Sequence, residues 1–433
     1  MVFTRHLMAG MCACLAFPVW AVMPSELREA PLTISTEAAR SVDPSLRAYI
    51  QQLWTESPAV AQAQAVLEAA RARAVGAGKP LHNPTLALEA ESTNINTTSV
   101  GISQTFDWSG KQGALKQVAA QEVQTAQAGL KAARQRIAVE ALAALVNYYT
   151  VRDLQALALR RSHLMKGFID AVKQRQSAGD VSALDTTLAQ VAYSEALMTQ
   201  AASESELAEA EAALQAVTGR VMENWPPLPG ELAPPPKKAD PAWLETLPEL
   251  AMLRGRMEAA RARVNLAKRE GRVDPTIGLR AGREDRETLL GLSIEIPLFV
   301  RNNYQSVAVA ASHEAIAEEQ ALRDAYQRSQ ARIEGALGRF ENTSRAWRAW
   351  VATGQQAQRE QAALLEQMWQ AGELSATDFL IQAKQNLDTQ AAATELMGEV
   401  WRAAISWFDA SGRIGNWLGL MTGDLETYSG ERQ

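Results

Sequence analysis

The chain has 433 residues, of which 47% are hydrophobic and 21% charged, so it is able to fold and is neither a disordered tail nor a polytopic helical membrane protein. Its formal net charge of -6 argues against nucleic-acid binding, because a protein that contacts phosphates needs a basic surface. No nucleic-acid partner is therefore expected.

Residues 1–21 have the pattern of a secretory signal peptide. A basic start is followed by an apolar run over 7–17, and Ala21 ends a plausible cleavage site. Both cysteines, Cys12 and Cys14, lie in this segment, so the mature chain is expected to contain neither a disulfide nor a thiolate ligand. Lipidation at either cysteine is left open. Beyond this segment we find no run of about 18 apolar residues, so any membrane crossing is expected to use strands.

An internal repeat organises the rest of the chain, with one unit over 22–219 and a second over 247–412. Ala69 recurs as Ala259 and Gly179 as Gly372, so the spacing stays between 190 and 193 residues. The segment 220–246 between the units is rich in proline, which predicts an irregular strap. A C-terminal tail over 413–433 follows the second unit.

In chain order, the first unit predicts a helix, a hairpin, a very long helix, a tight turn and another helix. A helix over 46–79 is expected to end before Pro80, and two alternating segments predict a β-hairpin over 85–108. From about 110 to 178 the sequence favours one helix on the order of 100 Å long at 1.5 Å per residue. The remaining predicted elements are a helix near 183–218, a helix near 248–270, a second hairpin over 276–298, and the second long helix with the helix that follows it.

Apolar residues recur every seven positions along both long helices. In the first helix the series is narrow and rich in alanine, which indicates close packing between helices of a bundle or tube. An ordinary long coiled coil would account for the helices but not for the strands. The series comprises Val123, Leu130, Ile137, Ala144, Val151, Ala158, Met165 and Val172, and in the second unit Tyr326, Ile333, Phe340 and Trp347.

The predicted strands alternate between apolar and polar residues, so each has two different faces. Strands of about ten residues are long enough to cross a membrane at a tilt, although a soluble sheet with one wet face would show the same pattern. A water-filled barrel needs more than about eight strands, so three chains supplying four strands each are expected. The predicted apolar face comprises Leu86, Leu88, Ala90, Val100, Ile102, Phe106, Trp108, Ile277, Leu279, Ala281, Leu290, Leu292, Ile294, Ile296 and Leu298, with Gln104 as an exception.

Two similar turns end the long helices. Gly179 and Gly372 suit the left-handed position after a helix, and a Ser-x-x-Asp pattern follows each of them as an N-cap. The capping pairs are Ser182 with Asp185 and Ser375 with Asp378. By the same reasoning, Ser109 with Gln112 and Asn302 with Gln305 are expected to cap the long helices at their other ends.

This organisation resembles the TolC family of outer-membrane efflux factors. The resemblance rests on the repeated order of elements, on Asn83-Pro84 before the first hairpin, and on the paired turns. The segment 103–112 is similar to the strand-to-helix junction of the CzcC-like branch, which serves heavy-metal efflux. The resemblance implies a mainly α fold with a transmembrane β portion, in which long antiparallel helical hairpins form a tunnel and four strands per chain contribute to a twelve-stranded trimeric barrel.

The resemblance also implies partners and sites. A homotrimer in outer-membrane lipid would extend into the periplasm and work with a periplasmic adaptor (membrane fusion protein) and an inner-membrane pump of the RND type. Asp185 and Asp378 are candidates for a tunnel gate, although Ile381 stands where a second acidic ring would need another aspartate. The turns that would dock the adaptor comprise Gly179, Asp180, Val181 and Ser182, and Gly372, Glu373, Leu374 and Ser375.

Catalysis, a cofactor and a metal site are not expected. His82, His163 and His313 are scattered without metal-binding spacing, and we find no phosphate-binding loop, so transport energy would come from a partner. A periplasmic coiled-coil adaptor is the alternative function, but an adaptor would be expected to have one helical hairpin flanked by β domains.

Overall fold

The computed structural model describes residues 43–420 except positions 221, 223, 230 and 231. The predicted signal peptide and most of the predicted C-terminal tail lie outside the described residues. The helices are α1 (Pro44–Glu56), α2 (Pro58–Ala77), α3 (Lys111–Ser177), α4 (Ala183–Thr218), α5 (Ala242–Thr246), α6 (Pro248–Glu270), α7 (Gln305–Ala349), α8 (Gln355–Gln370), α9 (Ala376–Ala410) and α10 (Ile414–Trp417). The strands are β1 (Thr85–Ser92), β2 (Asn96–Thr105), β3 (Thr276–Glu284) and β4 (Glu287–Glu295).

The predicted helix over 46–79 is two helices. Ser57 has extended backbone angles and Pro58 begins α2, since a residue before proline avoids the helical region and proline is well tolerated in a first helical turn. The second helix ends at Ala77, before the Lys79-Pro80 pair that was expected to stop it. In the strap, which was expected to be irregular throughout, residues 242–246 form the short helix α5.

The long helix α3 has 67 residues, which corresponds to about 100 Å at 1.5 Å per residue. It packs against α2, α4, α6 and α9. The matching run of the second unit is interrupted, because residues Trp350–Gly354 form a π-helical turn between α7 and α8. Gly354 permits this turn, since a Cβ there would lie 2.3 Å from Cε3 of Trp350. No helix among the described residues is both long and apolar enough to cross a membrane.

The main hydrophobic core lies where α1, α3, α7 and α9 meet. On α3 the residues with 0% exposure are Ala138, Ala141, Leu142 and Leu145 and, nearer the end of the helix, Val172. Five of the eight members of the predicted seven-residue series are buried, and the other three, Val123, Ala144 and Val151, are partly buried. The buried members are Leu130, Ile137, Ala158, Met165 and Val172. In α7 two members of the series, Ile333 and Phe340, are buried, and Phe340 stacks on Trp407 at 5.9 Å between ring centroids.

The four strands form one antiparallel sheet in the order β1-β2-β3-β4. The strands end at Thr105 and Glu295, so Phe106, Trp108, Ile296 and Leu298 follow the strands instead of lying within them. The register brings the apolar positions of all four strands into common rows. One row is Leu86, Ile102, Leu279 and Leu292, and the next is Leu88, Val100, Ala281 and Leu290.

Candidate functional site

The first tip turn has the predicted geometry. Gly179 adopts a φ of +85°, which places it in the left-handed region that favours glycine. Ser182 then begins α4 with a reciprocal capping box. Its hydroxyl accepts a hydrogen bond from the Asp185 backbone N–H at 3.2 Å, and its own N–H donates to Oδ2 of Asp185 at 3.1 Å.

The second tip turn repeats this arrangement. Gly372 has a φ of +76°, and the Ser375 hydroxyl accepts from the Asp378 backbone N–H at 3.1 Å. The same hydroxyl donates to Oδ2 of Asp378 at 2.6 Å. Each long helical run therefore ends in a glycine cap, and the returning helix starts at a serine cap.

The two tips contact each other through a side-chain hydrogen bond. The Thr377 hydroxyl donates to Oδ1 of Asp185 at 3.1 Å, so the carboxylate that caps α4 also contacts the start of α9. Hydrogen bonds from the Ser182 hydroxyl and backbone, with a smaller one from Thr377, hold the pKa of Asp185 below its usual value. The charged form of Asp185 thus joins the two turns.

The tip residues divide into exposed and packed side chains. Asp180 and Glu373 are exposed, whereas Val181 and Leu374 are partly buried against the hydrophobic cluster beneath the tips. The sequence analysis placed all four in the two tip turns as candidates for docking. The exposed side chains at the tips therefore include the two carboxylates and the adjoining Leu184, which is 68% exposed.

An aromatic cluster beneath the tips is a feature that the sequence analysis missed. Phe168, Trp369 and Phe379 pack together with ring centroids 4.8 to 5.3 Å apart. The Arg175 guanidinium lies 4.2 Å from the centroid of Trp369 and donates to the Trp369 carbonyl oxygen. These residues come from α3, α8 and α9, so the cluster ties the ends of both units together.

The candidate gate residues both serve as helix caps. Asp185 and Asp378 engage Ser182 and Ser375 as described above, and Ile381, one turn further along α9, is 60% exposed. Both aspartates lie in the first turns of α4 and α9, next to the tip turns, as expected. A gating role for the two carboxylates stays a prediction.

At the other end of α3, where Gly110 is the N-cap residue, the side chain of an aspartate outside the predicted cap accepts from the first N–H groups of the helix. Asp107 accepts hydrogen bonds from the backbone N–H groups of Lys111 and Gln112, both at 2.8 Å. The expected cap residue Ser109 instead donates to buried Asp274 at 2.9 Å, and the Lys111 ammonium lies 2.8 Å from the same carboxylate. The prediction of Ser109 as the cap is therefore wrong, because Asp274 competes for its hydroxyl.

At the start of α7, the side chain that accepts from the first helical N–H is one residue beyond the predicted Asn302. Asn302 accepts from the Tyr304 backbone N–H at 3.0 Å, whereas Asn303 accepts from Gln305, the first helical residue, at 3.1 Å. Tyr304 has a positive φ of 58°, which lets the chain turn sharply into the helix. Arg301 beside this turn is exposed.

The sheet has one apolar and one mainly polar face, as predicted. Leu290 and Leu292 on the apolar face are 78% and 67% exposed, although they are large aliphatic side chains. On the opposite face, Arg280 donates to Oε2 of Glu89 at 3.2 Å. An exposed apolar face of this extent requires a cover, which the residues that the structure describes do not provide.

Metal ligands are sparse in the described part of the chain. His82, His163 and His313 are all exposed, and the described residues bring together no group of three or more histidine, cysteine or acidic side chains that could hold a metal ion.

Comparison with known proteins gives a family match over the first unit. Residues 49–220 match the model of the family "Outer membrane efflux protein". The chain is also similar to the outer-membrane channel CmeC of Campylobacter jejuni, with a TM-score of 0.75, 11% identity and coverage of 90% of each chain. The resemblance to the TolC family is confirmed. The mainly α fold with four antiparallel strands in one sheet is the fold of TolC-like channels.

Two curated proteins that are similar to this chain are named as metal-resistance proteins. The cobalt-zinc-cadmium resistance protein CzcC of Cupriavidus metallidurans is 25% identical over 230 residues, which cover 51% of this chain and 55% of that protein. The nickel-cobalt-cadmium resistance protein NccC of Alcaligenes xylosoxydans xylosoxydans is 26% identical over 314 residues, which cover 66% and 70% respectively. The match therefore spans about half the length of the first relative.

Proposed function

We propose that this protein is the outer-membrane channel of a tripartite efflux system, which passively conducts its substrates out of the cell. The observation that carries the proposal is the sheet, whose four strands align their apolar residues on one exposed face and polar residues on the other. Lipid would cover the first face and water the second. The family match, the metal-resistance relatives and the channel fold support the same function.

The assembly is a homotrimer with a twelve-stranded barrel. A single four-stranded sheet leaves β1 and β4 with unpaired edges, which hydrocarbon does not tolerate. Three chains that join edge to edge would close the barrel, and α3, with its length of about 100 Å, would extend into the periplasm. This location lets the tips meet an adaptor and, through it, an RND-type pump.

The substrates are heavy-metal cations, and the protein does not act as an enzyme. The names of both curated relatives include cobalt and cadmium resistance, which supports divalent cations. A conduit that binds cations weakly suits this role, since tight binding slows release. The adaptor alternative is disfavoured by the two strand-containing units and by the 90% coverage of a channel fold.

A deletion strain tests the proposed function. Loss of the gene should raise sensitivity to cobalt, zinc, cadmium or nickel salts, and the plasmid-borne gene should restore resistance. Monovalent silver and organic toxicants serve as comparison substrates. Unchanged resistance to every compound, in a strain shown to express the matching pump, would contradict the proposal.

The exposed tip carboxylates give a separate prediction about docking. Replacing both Asp180 and Glu373 with lysine should lower cross-linking to the adaptor at least about tenfold, because reversed charges at an interface edge weaken association. Stability should change little, since neither side chain contributes to the tip core.

The matched control changes the same number of charges away from the tips. Glu209 and Glu211 are exposed residues of α4, and their replacement with lysine should leave cross-linking unchanged. Trimer yield is measured for both variants. Wild-type cross-linking and export in the tip variant would show that the two carboxylates do not take part in docking.

A further inference from the structure

An ion pair on the polar face of the sheet lies in an unusual setting. Arg280 of β3 crosses β2 to reach Glu89 of β1, at 3.2 Å between Nη1 and Oε2. The buried Ser99 hydroxyl also donates to this carboxylate, at 3.4 Å. Two glycines, Gly101 and Gly291, stand directly opposite Arg280 on its two neighbouring strands. The long cationic side chain therefore has no bulky neighbour in its row on either side.

The internal repeat shows how the free edges of the sheet can pair. Asn83-Pro84 precedes β1 as Asp274-Pro275 precedes β3, which makes β1 equivalent to β3 at a spacing of 191 residues. Gly101 in β2 matches Gly291 in β4 at a spacing of 190. The pairing of β2 with β3 within the chain is therefore a template for the pairing of β4 with the β1 strand of a second copy.

This template fixes a register. Within the chain Ile102 lies opposite Leu279, and the repeat converts this pair into Leu292 opposite Leu88 of the next copy. Gly291 then lies opposite Glu89 of the next copy. A shift of one residue would place apolar side chains beside polar ones on both faces of the sheet. The face pattern therefore independently excludes shifts by an odd number of residues.

We infer that, in the trimer, each Arg280 lies between Glu89 of its own chain and Glu89 of the next copy, so that three arginines and three glutamates alternate around the water-filled lumen. The inference rests on the proposed function and specifies a ring of charge within that channel. The strand β4, which carries Gly291, lies between β3 and the β1 strand of the next copy. Arg280 and Glu89 of that copy are therefore two strand spacings apart, about 10 Å. The same number of strands separates β1 from β3, and Arg280 already spans that distance within its own chain.

The chemical consequence is a ring with balanced charge. Three guanidinium and three carboxylate groups cancel, so the ring favours neither cations nor anions strongly. Removing one type leaves a ring of three like charges, which attracts counter-ions and repels ions of its own sign. The arginines would therefore prevent the three glutamates from retaining divalent cations during export.

Ion selectivity of the full-length protein in planar lipid bilayers tests the ring. With a potassium chloride gradient, Arg280→Gln should raise the potassium-to-chloride permeability ratio at least about threefold, and Glu89→Gln should lower it by a similar factor. Arg283→Gln is the matched control, because it removes the same charge from the same strand on the opposite face of the sheet. Its permeability ratio should stay near the wild-type value.

The outcomes separate the ring from the channel itself. Failure of the wild-type protein to form pores would contradict the proposed function. Pores in which Arg280→Gln and Glu89→Gln behave like Arg283→Gln would overturn the ring while leaving the channel in place. If one of the two variants inserts poorly, the selectivity of the other still tests the ring, since each is expected to shift the permeability ratio in its own direction.

Cysteine pairs test the register directly. Cys12 and Cys14 are the only cysteines of the chain and lie in the segment expected to be removed, so introduced thiols would be the only ones in the mature protein. Ala87→Cys with Ser293→Cys, which the register places opposite each other, should link copies into covalent trimers under mild oxidation. Ala87→Cys with Gly291→Cys, displaced by two residues on the same face, should link them much less. The reverse preference would contradict the register.

Discussion

Leu292→Arg should largely abolish assembly in the outer membrane, whereas Ser293→Arg should leave it mostly intact. The two positions are neighbours in β4 but face opposite sides of the sheet, and Leu292 belongs to an apolar row that crosses all four strands. A lipid-facing charge at mid-bilayer costs roughly 2–4 kcal/mol per chain, while a lumen-facing charge stays in water. Because a trimer contains three copies of the substitution, this cost applies to each of the three chains.

The measurement is the amount of protein in the outer-membrane fraction, with expression held equal. Ser293→Arg is the matched control because it introduces the same side chain one residue away. Equal membrane yields for the two variants would contradict the assignment of the faces. A stronger defect in Ser293→Arg would reverse it.

Phe340→Ala should destabilise the helical portion by about 3–5 kcal/mol, the usual cost of deleting a buried aromatic ring. Phe340 is 1% exposed and stacks on Trp407, where α7 and α9 meet. Tyr326→Ala is the control, since Tyr326 belongs to the same seven-residue series of α7 but is 41% exposed. Its substitution should cost much less.

The thermal midpoint of the helical signal in detergent measures both variants, with circular dichroism as the readout. A large fall is expected for Phe340→Ala and a small one for Tyr326→Ala. Equal shifts would mean that the buried junction of α7 and α9 does not control stability. A larger shift for Tyr326→Ala would indicate that another copy buries that side chain.

The tip turns and the faces of the sheet could be predicted because their signals are local. A glycine at a helix end and a Ser-x-x-Asp pattern specify backbone geometry within a few residues, and the structure gives Gly179 and Ser182 these roles. Alternation likewise assigns the face of Leu292 from its immediate neighbours. Neither prediction needed knowledge of distant contacts.

The seven-residue series of α3 predicted five buried residues but not the most buried stretch of the helix. Of the five residues with 0% exposure, only Val172 belongs to the series. Alanine is so frequent in this helix that several adjacent lines look equally small and apolar, and only packing selects Ala138, Ala141 and Leu142. The break at Pro58 had a local signal, because proline restricts the residue before it, but the surrounding alanines suggested one continuous helix.

Contacts between the two units escaped prediction for a different reason. The prediction of Ser109 as the cap of α3 fails because its hydroxyl donates to Asp274, which lies 165 residues further along the chain, while Asp107 accepts from the first N–H groups of the helix. The pair of Glu89 and Arg280 is 191 residues apart and requires the register of three strands. Such contacts follow from tertiary structure, which no pattern within one segment encodes.

Single-particle images of the full-length protein extracted in detergent test the central claim most directly. The account predicts a particle with threefold symmetry, in which three four-stranded sheets close one barrel and helices on the order of 100 Å extend from it. A monodisperse monomer, or an oligomer in which the edges of β1 and β4 do not meet, would contradict it.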